Sequence, residues 1–280
     1  MKLGYNTNGL AHHRILDAID LLGEVGFESV AITLDAGELD PYQVASEFRR
    51  TALAVRTRLE RHGMRCVVET GARFLLNPRK KHDPTLLDPD PARRGIRRDF
   101  LCRAIDAAAL LDAPLVSLWS GALPDLAPEN VAWERLISEL ALVLDYAEKA
   151  NIDLAFEPEP GMFVDGNARF AELLRRLPHP RLKMTMDVGH VHCTESGTIA
   201  EHIHAWGPRI INVHIEDMNR GVHEHLPFGQ GTMDFPPVIQ ALRDVGYQGG
   251  LHVELSRESH RAVEAVCHSY NFLAPLLDVR

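Results

Sequence analysis

Two glutamates end an apolar run in the segment 154-LAFEPEPGMF-163, and a proline follows each of them. Side chains two residues apart on a strand point to the same face. Glu157 and Glu159 are therefore expected to face one interior space, where a carboxylate without a partner is costly. This pair of acids predicts that a neutralising group lies opposite them.

The three β-like runs that follow carry Asp187, His214 and Glu254 near their carboxyl ends. Acids and an imidazole at nearly the same depth on four consecutive strands are hard to explain as four separately paired core residues. A divalent cation neutralises three carboxylates at once, and this mix of ligands suits Mn²⁺, Mg²⁺, Co²⁺ or Zn²⁺. The sequence predicts that Glu157, Asp187, His214 and Glu254 bind one divalent metal ion, with Mn²⁺ as the first choice.

Eight β-like runs alternate with helical patterns along the chain, and most runs are rich in Val, Ile, Leu or Phe, as covered parallel strands are. Parallel strands need crossover helices, and eight such units favour a closed (β/α)8 TIM barrel. An open doubly wound sheet is the alternative, but no GxGxxG motif follows the first run. The predicted strands are 2–6, 28–33, 65–70, 114–119, 153–158, 182–187, 210–215 and 250–255, and the predicted helices are 14–26, 42–63, 96–113, 129–151 and 261–277.

Active sites of such barrels lie at the carboxyl ends of the strands, where the four predicted ligands fall. No linker, low-complexity tract or change of composition divides the 280 residues, which predicts a single domain over 1–280. Glu159 lies beyond Glu157, so we expect it to orient a ligand or to accept a substrate hydroxyl.

Composition narrows the class of partner. A net charge of −9 argues against nucleic acid, because phosphate contacts need a basic surface. The chain has no apolar run long enough to span a membrane, and its N-terminus lacks the apolar stretch of a signal peptide. Four scattered cysteines without a CxxC pair are typical of reduced thiols. These features predict a cytoplasmic protein without a nucleic-acid or membrane partner. The His-rich loops at the mouth of the barrel indicate a small polyhydroxylated substrate.

The ends of the last four strands, FEPEP, MDVGH, NVHIED and HVEL, resemble the xylose-isomerase-like TIM-barrel superfamily and its sugar phosphate isomerase/epimerase group. The resemblance covers essentially the whole chain, and the order of these motifs is more specific than any one of them. It implies a metal-dependent isomerase or epimerase of a sugar, sugar phosphate or cyclitol that transfers a proton through an enediolate. The alternative on the same scaffold is a lyase that dehydrates an inosose, a dehydroshikimate-like acid or a 3-keto-glycoside. A barrel that only binds a ligand is a third hypothesis.

The resemblance to the ketose 3-epimerases of this group also implies residue roles. It implies that Glu157 and Glu254 flank the substrate and exchange its proton. It assigns substrate contacts to the histidine three residues after the aspartate and to the arginine six residues after the strand histidine, here His190 and Arg220. Barrels of the group often pair, which leaves a homodimer open.

Two features depart from other branches of the superfamily. The segment 221-GVHEHLPFGQGTMDF-235 replaces a short Pro-Gly segment of the epimerases, and we expect its His225 to contact the substrate. The endonuclease branch uses three zinc ions and needs histidines at the ends of the third and fourth strands. Those positions read VVETGA and VSLWSG, which argues against that branch.

Overall fold

The structure is a computed structural model of the protein and describes residues 1–37 and 39–278. Its strands are β1 (Lys2–Asn6), β2 (Ser29–Thr33), β3 (Arg65–Glu69), β4 (Leu115–Leu118), β5 (Asp153–Phe156), β6 (Leu182–Asp187), β7 (Ile210–Ile215), β8 (Asp217–Asn219), β9 (Val222–Leu226) and β10 (Gly250–Val253). In this part of the chain, all strands except β8 and β9 form a closed barrel in the order β1-β2-β3-β4-β5-β6-β7-β10. With the helices between the strands, this is a (β/α)8 TIM barrel, which confirms the predicted fold class.

The helices that alternate with the strands include all five predicted segments. They are α1 (Ile15–Val25), α2 (Ala45–His62), α3 (Pro91–Leu111), α4 (Glu129–Ala150), α5 (Asn167–Arg176), α6 (Val188–Thr194), α7 (Ile199–Trp206), α8 (Phe235–Asp244) and α9 (Ala262–Leu273). Helix α3 begins at Pro91 rather than at residue 96, because Asp90 caps it by accepting from the backbone N–H of Ala92 at 2.9 Å. None of the helices in the described ranges is long and apolar enough to cross a membrane.

The chain divides into two compact units. The first comprises Met1–Ile32, Ala54–Cys66 and Met184–Arg280, and the second comprises Thr33–Leu53 and Val67–Lys183. The single domain over residues 1–280 stays a prediction.

In the first unit, the register of the strands sets the level of the polar side chains. Gly4 of β1 pairs with His252 of β10, His252 pairs with His214 of β7, and His214 pairs with Asp187 of β6. Because side chains alternate along a strand, these positions share one face. The opposite face carries fully buried apolar residues, among them Leu3, Val213, Ile215, Leu251 and Val253.

In the second unit, a long loop between β3 and α3 is anchored from the helix that follows it. Arg97 of α3 is buried and donates to the carbonyl oxygens of His82 at 2.7 Å and Pro84 at 2.8 Å. Burial lowers the pKa of Arg97 to about 10, a range in which it keeps its charge at neutral pH. These bonds hold the loop against its own helix.

Candidate active site

Asp187 serves both the fold and the site. It is the last residue of β6 and the N-cap of α6, and its Oδ1 accepts from the backbone N–H of His190 at 2.8 Å. A carboxylate at this position satisfies one of the free N–H groups of the helix. The cap also brings the His190 ring back toward the strand end, where its Nε2 lies 3.5 Å from Oδ2 of Asp187.

His214 and Glu254 meet beside Asp187. Nδ1 of His214 lies 2.9 Å from Oε2 of Glu254, and the ligand atoms of all three side chains lie within 4.8 Å of one another. The expectation of nearly equal depth holds for Asp187 and His214, which pair directly. Glu254 lies two residues beyond His252, the partner of His214, because neighbouring strands of a barrel are staggered.

Asn8 completes the surroundings of Glu254, and the sequence reasoning missed it. Its side-chain amide donates to Oε1 of Glu254 at 2.7 Å, and its backbone N–H donates to the side chain of Asn6 at 3.0 Å. The signal was the polar run NTN directly after the first strand. Asn8 fixes one oxygen of Glu254 and leaves the other directed at His214.

The pKa values of Glu254 and Asp187 are both lowered, in spite of burial. Burial would raise the pKa of Glu254, but the neighbouring His214 and its hydrogen bond to the carboxylate lower that pKa well below its usual range. Burial likewise opposes ionisation of Asp187, and the nearby His190 and His225 outweigh it, so the pKa of Asp187 is lowered. The cluster is therefore built to hold ionised carboxylates away from water.

Glu216 is a further buried acid of the cluster. It is 0% exposed, and among the described residues neither of its carboxyl oxygens has a hydrogen-bond partner, nor does Oδ2 of Asp187. Burial raises the pKa of Glu216 well above its usual value, and the charges of Asp187 and Glu254 raise it further. Unsatisfied carboxyl oxygens beside an imidazole fit a divalent cation, which would give them a partner.

Three histidines line the same cluster. His223 and His225 lie on β9, where two-residue spacing puts them on one face, and the hairpin with β8 brings them to His190. Nε2 of His223 lies 3.0 Å from Nε2 of His190, and Nδ1 of His225 lies 3.7 Å from Oε2 of Glu216. Burial lowers the pKa of His190 to about 4 and also lowers that of His223. These two rings are neutral near pH 7, and the three histidines could hold a cation or a substrate.

Asp217 follows Glu216 and has a different role. Its carboxylate accepts from the backbone N–H groups of Met218, Gly229 and Gly231 at 2.9 Å each, and of Met233 at 3.2 Å. A Cβ atom on Gly231 would lie 2.3 Å from Oδ1 of Asp217, so only glycine leaves room for the carboxylate. Asp217 therefore shapes the turn that follows β9.

Arg220 occupies the tight turn of the hairpin, between Asn219 and Val222. Its guanidinium donates to the carbonyl oxygens of Glu195 at 2.8 Å and Gly197 at 3.0 Å. These bonds tie the hairpin to the loop after α6. A substrate contact by Arg220 stays a prediction.

Glu157 and Glu159 belong to the second unit. Glu157 directly follows β5 and is buried, and its backbone N–H donates to the carbonyl of Leu118 at 2.8 Å. Glu159 is half-buried, and its N–H donates to the carbonyl of Val164 at 3.1 Å. The backbone around both acids is therefore fixed by neighbouring segments of their own unit.

The chain is similar to several known proteins. The family model of the xylose isomerase-like TIM barrel matches residues 19–275. Fructoselysine 3-epimerase of Shigella flexneri is 27% identical over 161 residues, which are 56% of this chain and 58% of that protein. This chain thus spans less than two thirds of that relative's length.

Two further likenesses extend over more of the chain. L-ribulose-5-phosphate 3-epimerase UlaE of Escherichia coli (strain SMS-3-5 / SECEC) is 23% identical over 247 residues, which are 87% of this chain and 83% of that protein. A crystal structure of the IolI protein with a bound zinc atom has a TM-score of 0.77 and 16% identity, and covers 99% of this chain and 98% of that chain. The structural likeness shows the fold alone.

Proposed function

Because the chain belongs to the xylose isomerase-like TIM-barrel family, we propose that it is a metal-dependent isomerase or epimerase of a sugar, sugar phosphate or cyclitol. The observation that carries the proposal is the cluster of buried Asp187 and His214 with half-buried Glu254, whose ligand atoms lie within 4.8 Å of one another. The 3-epimerase activities named for two sequence relatives support a sugar substrate. We further propose that the protein acts in the cytoplasm.

Glu157 is the fourth ligand in this proposal. Glu157 follows the end of β5 just as Asp187 ends β6, and the active sites of TIM barrels lie at the carboxyl ends of their strands. The four ligands Glu157, Asp187, His214 and Glu254 would hold one divalent cation, Mn²⁺ before Mg²⁺, Co²⁺ or Zn²⁺. The zinc atom of the IolI protein supports a divalent cation in this fold. When bound, such a cation polarises a substrate carbonyl and its neighbouring hydroxyl, and so acidifies the adjacent C–H.

Glu157 and Glu254 carry the proton transfer. They follow different strands, β5 and β10, and in this proposal each approaches the reacting carbon from its own side. One carboxylate takes the proton from the C–H bond, whose electron pair remains on the substrate as an enediolate. In epimerisation the other glutamate, in its acid form, returns a proton to the opposite face of the same carbon. Asn8, which donates to Oε1 of Glu254, keeps that carboxylate in one orientation for the transfer.

The substrate contacts surround this pair. His190 and His225 present imidazole nitrogens beside the cluster and suit the hydroxyls of a sugar. Glu159 would accept a hydroxyl, and Arg220 would approach from the turn of the hairpin. Imidazole nitrogens, a carboxylate and a guanidinium recognise hydroxyl groups rather than an apolar ligand.

Solvent deuterium incorporation tests the proposed function. The Mn²⁺-loaded protein is incubated in D₂O with a panel of ketoses, ketose phosphates, inososes and 3-keto-sugars, and each compound is analysed by NMR after removal of protein and metal. We expect deuterium at the carbon next to the carbonyl without loss of water. Loss of water from the compound would instead show that the protein is a lyase. No exchange with any compound would contradict the proposal that the protein is an enzyme of this kind.

Two variants complete this test. Glu254→Gln should abolish exchange and lower metal occupancy, whereas Glu264→Gln, which changes an exposed acid of α9, should behave as the wild type. Full exchange and full metal content in Glu254→Gln would refute the assigned site.

A further inference from the structure

A series of buried polar side chains in contact with one another extends from His214 on the side opposite Glu254. The amide nitrogen of Asn212 lies 3.3 Å from Nε2 of His214, and its amide oxygen lies 2.9 Å from Nδ1 of His252. Nε2 of His252 in turn lies 2.8 Å from Oγ of Ser29. These residues are at most 2% exposed, so their donors and acceptors must be matched inside the protein.

When the proton of His214 is on Nδ1, the hydrogen bonds of this series of side chains run in one direction. Nδ1 of His214 carries the proton and donates to Glu254, so Nε2 has a lone pair to accept from the amide N–H of Asn212. The amide oxygen of Asn212 accepts from Nδ1–H of His252. Nε2 of His252 then accepts from the hydroxyl of Ser29.

A cation shared by Glu254 and His214 requires the opposite direction. A metal ion binds a lone pair, so the proton of His214 must move from Nδ1 to Nε2. Asn212 can accept a hydrogen bond from this Nε2–H only if its amide turns over, which directs its oxygen at His214 and its nitrogen at His252. Nδ1 of His252 becomes the acceptor, its proton lies on Nε2, and Ser29 accepts. Each ring keeps one proton throughout.

A turned-over ring of His252 would place Cδ2 and Cε1 where Nδ1 and Nε2 now contact Asn212 and Ser29, so both contacts would be lost. A Cβ atom on Gly4 would lie 2.3 Å from Cδ2 of His252, and one on Gly250 would lie 2.2 Å from its Cε1. The ring fills the space that the two glycines leave. A change of partners must therefore occur through the position of the ring proton.

We propose that Asn212, His252 and Ser29 form a tautomer relay that sets the proton position of His214 and reverses when a cation binds. Asn212 is its positioning residue, because an amide can both donate and accept, whereas a carboxylate only accepts. Thr185 fits both states: its Oγ1 lies 3.3 Å from the amide nitrogen of Asn212, and a hydroxyl can also donate. The relay rests on the cation site of the proposed function and adds residues that do not touch the cation.

The tautomer of His252 in the wild-type protein tests the relay. Long-range ¹H–¹⁵N correlation spectra distinguish Nδ1–H from Nε2–H, and Zn²⁺ is diamagnetic and so preserves the spectrum. We expect His252 to change from Nδ1–H to Nε2–H when Zn²⁺ saturates the protein. Zn²⁺ binding with an unchanged tautomer would overturn the relay alone, whereas no Zn²⁺ binding would overturn the cation site as well.

Variants of Asn212 extend the test, with Zn²⁺ affinity measured by calorimetry. Asn212→Leu removes both functions of the amide and should weaken Zn²⁺ binding about 10- to 100-fold. Asn212→Asp can only accept, so it should still bind Zn²⁺ while His252 stays in the Nδ1–H form with and without the ion. The same tautomer change in Asn212→Asp as in the wild type would overturn the proposal.

A matched control lies elsewhere in the same unit. Ser269 is fully buried, and its hydroxyl donates to the carbonyl of Ala265 at 2.7 Å, away from the relay. Ser269→Ala should retain wild-type Zn²⁺ affinity and the tautomer change of His252. Loss of the change in this variant would show that the spectra report general loosening of the core, which would overturn the proposal.

Discussion

Glu216 and Asp217 are neighbours in the chain and are both buried, yet their surroundings are opposite. Four backbone N–H groups donate to Asp217, while neither carboxyl oxygen of Glu216 has a hydrogen-bond partner among the described residues. The carboxylate of Asp217 is satisfied by the fold itself and holds a turn. The carboxyl oxygens of Glu216 remain available to a proton, a cation or a ligand. A buried acid therefore reveals its role through its partners rather than through its burial.

Asp187 has one carboxylate oxygen that the fold satisfies, as in Asp217, and one that it does not, as in Glu216. Its Oδ1 caps α6 through the N–H of His190, while its Oδ2 has no hydrogen-bond partner within the described ranges. One oxygen thus stabilises the fold and the other remains available. The same contrast distinguishes acids whose substitution should harm stability from acids whose substitution should harm catalysis.

The largest expected effect is the loss of catalysis in Glu254→Gln. The amide cannot take a proton from carbon and is a poorer metal ligand, so we expect kcat/KM to fall by about 10³-fold, within the range for loss of a general base. Initial rates on the substrate identified by deuterium exchange measure this. A fall of less than tenfold would place Glu254 with Asp217 among the structural acids.

Asp217→Asn should instead affect stability. The amide nitrogen cannot accept, so two of the four backbone N–H groups lose their acceptor, at a cost of about 1–3 kcal/mol each. We expect the free energy of unfolding to fall by about 3 kcal/mol, as measured by chemical denaturation. Glu264→Gln is the matched surface control. Unchanged stability in Asp217→Asn would contradict the structural role.

Cation binding should separate the two kinds of acid by thermal stability. An ion at about 100 times its Kd stabilises the folded state by about 2.7 kcal/mol. Mn²⁺ should therefore raise the Tm of the wild type and of Asp217→Asn, and chelation should reverse the shift. Glu254→Gln should show little shift at the same Mn²⁺ concentration. An equal shift in Glu254→Gln would locate the ion elsewhere.

The sequence predicted the barrel well, because buried parallel strands leave continuous apolar runs between helical patterns. It did not predict the hairpin of β8 and β9. The segment VHEHL is largely polar, and its partner strand is only three residues long. The one local signal was the Arg220–Gly221 turn, where Gly221 has a φ of 77°, a conformation that favours glycine.

The sequence also predicted that Asp187, His214 and Glu254 lie together, because each stands within one residue of the end of a strand. It could not separate Glu216 from Asp217, since three of the four backbone N–H groups that donate to Asp217 come from a turn 12 to 16 residues later. Nor could it find Asn8, which reaches Glu254 across 246 positions of the chain. Contacts of this kind depend on how the barrel closes, not on local pattern.

The smallest expected effect has the opposite sign. Glu216→Gln keeps the size of the side chain and removes a group whose ionisation is costly in its buried site. Because burial raises the pKa of Glu216, its contribution to stability is present below the unfolded value of about 4.5 and is lost as the pH rises. In metal-free protein we expect Glu216→Gln to increase the free energy of unfolding by about 1 kcal/mol at pH 7, and by less near pH 4. A loss of stability similar to that of Asp217→Asn would show that Glu216 is held by the fold after all, and would end the distinction between the two neighbours.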